Sequence, residues 1–62
     1  MKVRDIVKLI EADGWFRVKA KGGHRQYKHA VKRGCVTIPG QMNADLDEKT
    51  EKSILRQAGL ET

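Results

Sequence analysis

The sequence predicts a small α+β domain, in which two helices cover one face of a three-stranded antiparallel sheet in the order α-β-β-β-α. Three observations carry this. Apolar residues recur at helical spacing near the start, as Val3, Ile6, Val7 and Ile10, and near the end a helix is expected to bury Thr50, Ile54, Leu55 and Ala58. Between them the period falls to two, with Phe16, Val18 and Ala20 alternating with Arg17, Lys19 and Lys21. Two short glycine connections, Gly22-Gly23 and Lys32-Arg33-Gly34, are of hairpin length, which makes neighbouring strands antiparallel. At 62 residues the chain is one domain, 1–62, with a thin core.

The first helix is expected over residues 3–13, where Leu9 widens the apolar stripe and Gly14 supplies the stop. A strand follows over 15–21, with Phe16, Val18 and Ala20 facing the core. Trp15 shares parity with the lysines there. It is expected at the strand edge, and stacking on a base is the alternative. The second strand, 24–31, has Tyr27 as its core residue and Arg25, His29 and Val31 on the same parity. The third, Cys35 to Ile38, is β-branched and ends at Pro39-Gly40. Cys35 is read as a small buried or half-buried side chain, and His29 as a strand-end surface residue. The last helix starts near Asp45 or Asp47, whose carboxylates suit a helix N-terminus, and runs to about Ala58. Gly59 then caps it, with Leu60 folding back on Leu55.

Charge is unevenly spread. The net charge is +5, and the span 15–44 holds Arg17, Lys19, Lys21, Arg25, Lys28, Lys32 and Arg33 with no acidic residue. Residues 1–14 balance, and residues 45–62 are net negative. A concentrated basic surface favours a polyanion, usually nucleic acid; a merely solubilising surface is the bland alternative. Cys35 is the single cysteine, which fits a reducing cytoplasm. Arg4, Asp5 and Lys8 interrupt the N-terminal apolar positions, so no leader is expected, and no run approaches the roughly 20 apolar residues of a membrane span.

His24 is the candidate catalytic residue. It follows the Gly22-Gly23 turn, and Lys21 and Arg25 flank that position. An imidazole there has two possible uses: taking a proton from a ribose 2′-hydroxyl, or protonating a leaving 5′-oxygen. If Tyr27 faces the helices, period-two geometry puts His24 on the open face, where Arg17, Lys19 and Lys28 are expected to join it. From pattern alone one histidine after a glycine turn is weak evidence, since most lone histidines are structural or solvated. His24, His29 and Cys35 match no closely spaced metal-ligand pair, so no metal or other cofactor is expected.

The chain resembles the HicA toxins of prokaryotic toxin–antitoxin systems. The resemblance lies in Ile10, Asp13-Gly14-Trp15, Lys21-Gly22-Gly23-His24-Arg25-Gln26-Tyr27, Val36-Thr37-Ile38-Pro39 and Ser53-Ile54-Leu55-Arg56-Gln57-Ala58-Gly59-Leu60. It implies a fold like that of double-stranded-RNA-binding domains and an endoribonuclease that cleaves mRNA and arrests translation. It also implies a HicB-like antitoxin that masks the histidine. The family's catalytic histidine falls on His24, and no metal is implied. Arg17, Lys19, Lys21, Gly22, Gly23, Arg25 and Lys28 are then the expected RNA-binding residues. Two departures stand out: Gly23 where the family usually has serine, and Gly40 and Gln41 where many members have a histidine.

Overall fold

The computed structural model describes residues 1–21 and 24–60, and for residues 19–21 the backbone only. The elements are α1 (Val3–Ala12), β1 (Trp15–Lys21), β2 (His24–His29), β3 (Val36–Pro39) and α2 (Glu48–Gln57). The sheet is antiparallel in the order β1-β2-β3. A shortest dimension of 16 Å leaves room for two layers, sheet and helices.

The core lies between those layers. α1 contributes Val3, Ile6, Val7 and Ile10, the sheet Trp15, Tyr27, Val36 and Ile38, and α2 Ile54 and Ala58. Burying each of the larger aliphatic side chains is worth about 1.5–3 kcal/mol. Ala44 and Leu46, in the loop before α2, pack against this cluster. The same loop satisfies the start of α1, since Val3 N–H donates to the Ala44 carbonyl and Arg4 N–H to that of Met42, both at 2.9 Å. Helix N-termini need such acceptors because their first amides have no partner within the helix.

The strand alternation expected for β1 is corrected. Trp15 is buried at 2% exposure, whereas Phe16 and Val18 are 49% and 46% exposed. The cause is a bulge. Arg17 pairs with Tyr27 and Lys19 with Gln26, so Val18 has no partner and the parity of β1 reverses there. Trp15 therefore enters the core, where its Nε1–H donates to the Ala58 carbonyl at 3.3 Å. An indole in the core needs such a partner for its one polar group.

The second strand ends at His29 rather than at residue 31 because of the histidine itself. His29 Nδ1 accepts the backbone N–H groups of Val31 and Lys32 at 3.0 and 3.1 Å, which turns the chain away from the sheet. With Nδ1 an acceptor twice over, the ring proton sits on Nε2 and is donated to the Asp13 carbonyl at 2.7 Å. The ring also stands edge-on to Trp15, with centroids 5.3 Å apart. His29 is thus a half-buried hub, not a surface residue. Cys35 is exposed, not buried, and Pro39 extends β3 by pairing with His24. Its missing amide is tolerated on an edge strand.

Lys32 Nζ closes the same corner, donating to the Asp13 carboxylate and to the Ala58 carbonyl. The Lys32 hydrogen bond holds the Asp13 carboxyl below its usual 3.8. A depressed carboxylate stabilises the fold above its unfolded pKa and loses that contribution as pH falls through the folded value. Asp13→Asn is therefore expected to lower Tm at neutral pH. The gap from the parent should narrow as the pH falls below the usual carboxylate range and Asp13 itself becomes protonated, in thermal melts followed by circular dichroism.

α2 ends as expected, with Leu60 N–H bonded to the Leu55 carbonyl at 2.8 Å and Gly59 N–H to that of Arg56 at 3.1 Å. Gly59 carries the positive φ of +72° that this cap requires.

Candidate nucleic-acid interface

His24 opens β2, opposite Lys21 of β1 and Pro39 of β3. Along β2, His24, Gln26 and Lys28 are exposed, while Arg25, Tyr27 and His29 are half-buried or buried. Since alternate side chains leave a strand on opposite faces, His24 and Lys28 stand on the face away from the core. Phe16 lies opposite Lys28, and Thr37 opposite Gln26. Directly opposed residues of an antiparallel pair share a face, so both belong to the open side.

One wall of the His24 site comes from a part of the chain that the charge pattern passes over. His24, Thr37 and Pro39 line a groove of about 340 Å³ with Lys49, Thr50, Ser53 and Gln57 of α2. The helix reaches the site because Gln57 is fastened to the outer edge of β3. Its Oε1 accepts the Thr37 N–H at 3.2 Å, and its Nε2 donates to Ser53 Oγ at 3.3 Å. These bonds also occupy part of a sheet edge that would otherwise be open to pairing.

Not all the expected RNA-binding residues gather around His24. The placement of Arg17 on the open face is corrected: the bulge sets it opposite buried Tyr27, on the helix side. There Arg17 and Arg25 line a separate cleft of about 470 Å³ with Val7, Glu11, Tyr27 and Met42. Arg25 also donates to the Gly40 carbonyl, which ties β2 to the turn after β3. Burial, with the nearby Glu11 charge second, pushes the Tyr27 hydroxyl above its usual value of 10.0. Lys28 keeps its expected face. Lys19 and Lys21 are defined by backbone pairing, opposite Gln26 and His24. Gly22 and Gly23 lie outside the described residues.

Among the described residues, no group of three or more His, Cys, Asp or Glu side chains is placed to hold a metal ion. No described helix is long and apolar enough to cross a membrane. What the open face offers is an accessible imidazole, cationic side chains, hydroxyl donors and an exposed aromatic.

The family model described as the HicA toxin of bacterial toxin–antitoxin systems matches residues 3–60. Among solved structures, a chain of a toxin–antitoxin complex from Streptococcus pneumoniae is 34% identical with a TM-score of 0.78. The match covers 97% of this chain and 98% of that one. No curated protein matches the sequence at a significant level. With a family match over nearly the whole chain and the same fold in a toxin–antitoxin complex, the chain belongs to the HicA toxin family.

Proposed function

We propose that the protein is the toxin of a toxin–antitoxin pair and an endoribonuclease that cleaves mRNA in the cytoplasm and so inhibits translation. A HicB-like antitoxin is its partner and covers the His24 face. The observation that carries the catalytic reading is His24 itself: an exposed imidazole on a groove wall, with no hydrogen bond to another side chain among the described residues. A structural histidine would look like His29, which is half-buried and bonded at both ring nitrogens.

Cleavage proceeds by way of the neighbouring ribose. The 2′-oxygen attacks phosphorus as its proton leaves, the P–O5′ bond breaks, and the 5′-oxygen takes up a proton. His24 serves one of these two proton transfers and water the other. Cationic side chains offset the charge that grows on the phosphoryl oxygens. The products are a 2′,3′-cyclic phosphate and a 5′-hydroxyl.

Incubating purified protein with a synthetic RNA, with and without chelator, tests this reading. Cleavage that persists in chelator and leaves those two ends is expected. Cleavage that requires a metal and leaves 5′-phosphates would overturn the mechanism. RNA binding without shortening would make the protein a non-catalytic RNA-binding module.

A further inference from the structure

We infer that the first two turns of α2 form the second half of the RNA site, with Lys49 and Ser53 holding a backbone phosphate in the groove against His24. This rests on the reading of His24 as the catalytic group.

The argument begins with which cations can reach that groove. Arg17 and Arg25 line the cleft on the other side of the sheet, and Arg25 is also bonded to Gly40. Lys32 is held by Asp13 and Ala58. On α2, Lys52 is paired with Glu48 at 3.3 Å. Lys49 is the described cation that lines the same groove as His24, and no ion pair engages it among the described residues.

The acidic residues of this helix do not cancel it. Glu48 is taken by Lys52, and Glu51 lies 3.4 Å from the Met1 amino group. Ser53, one turn after Lys49, accepts from Gln57 and so keeps its own O–H proton for another acceptor. Residues four apart stand on one side of a helix, so the ammonium and the hydroxyl face the same occupant. A groove with an ammonium and a hydroxyl donor on one wall and an imidazole on the other suits a phosphodiester, which offers acceptors but no donor. The backbone of the RNA, rather than a base edge, is what this wall recognises.

The test is RNA cleavage by Lys49→Gln, Lys49→Arg, Ser53→Ala and Lys52→Gln beside the parent and His24→Ala. Lys49→Gln is expected to lower kcat/KM by about tenfold or more, the effect of losing one charge-assisted hydrogen bond. It should also reduce the salt slope of RNA binding by about 0.7, one phosphate contact on a single strand. Lys49→Arg should restore most of both. Ser53→Ala should cost roughly fivefold, and Lys52→Gln should stay within about twofold of the parent. All these positions are exposed, so equal Tm values will show that the fold is intact. A Lys49→Gln variant with parental kcat/KM and parental salt slope, beside an inactive His24→Ala, overturns the inference while leaving the catalytic reading standing. If the parent binds RNA without cleaving it, the catalytic reading fails. The salt slope of Lys49→Gln then still decides the phosphate contact.

Discussion

Gly14→Ala is expected to be the most destabilising glycine-to-alanine substitution among the described residues. Gly14 follows the last turn of α1 with φ +106°, a conformation that side chains with a Cβ rarely adopt. The added Cβ would also lie 2.7 Å from His29 Nε2. That ring cannot swing aside at small cost. It is bonded to Asp13, Val31 and Lys32, and packs edge-on against Trp15. Backbone strain costs about 1–3 kcal/mol, and breaking the Asp13 bond adds about 1 kcal/mol. A total near 3 kcal/mol is a large share of the roughly 3–9 kcal/mol that a chain of this length commands. Tm should fall by well over about 10 °C. Adding His29→Ala to Gly14→Ala separates the two causes. The double variant should be more stable than the sum of the single effects by about 0.5–3 kcal/mol, because the contact is relieved while the strain remains. Additive losses would mean that the ring and the glycine do not meet.

The order of elements was legible because local signals agreed with the global arrangement. Both helices had one apolar stripe, and Gly14 and Gly59 marked their ends. The parity of β1 was not legible. A bulge is a pairing event between two strands, and Val18, which makes it, is an ordinary strand residue with nothing to mark it. That one residue exchanged Trp15 for Phe16 in the core and moved Arg17 to the other face. The role of His29 was not legible for a related reason. Its partners lie at Asp13, Val31 and Lys32, and only the folded corner brings them together.

The candidate site was half readable. Alternation from Tyr27 put His24 and Lys28 on the open face, and the structure has them there. Lys49 and Ser53 were passed over because they lie in a net acidic stretch and on a helix read only for its buried side. The available signal was the helical spacing of Lys49, Ser53 and Gln57, which makes one continuous strip beside the buried Ile54. Only the folded arrangement, with Gln57 accepting from Thr37 and the strip lining the same groove as His24, reveals that it borders the His24 face.

His24→Ala is the second substitution with a large expected effect, here on activity rather than stability. The side chain is exposed and opposes Pro39 at the end of the sheet, so its removal empties no core space. Tm should therefore stay within about 2 °C of the parent. A general acid or base contributes about 10²–10⁴ in rate, and cleavage should fall by that factor. RNA affinity should change little if, as proposed, Lys49 and the other cations of this face carry the phosphate contacts. The most direct measurement is the single-turnover cleavage rate of one RNA by the parent and by His24→Ala, with binding and Tm recorded on the same preparations. A folded, RNA-binding variant whose cleavage is at least about 100-fold slower is the predicted result. A folded variant that cleaves at the parental rate would contradict the assignment of His24 as the catalytic group.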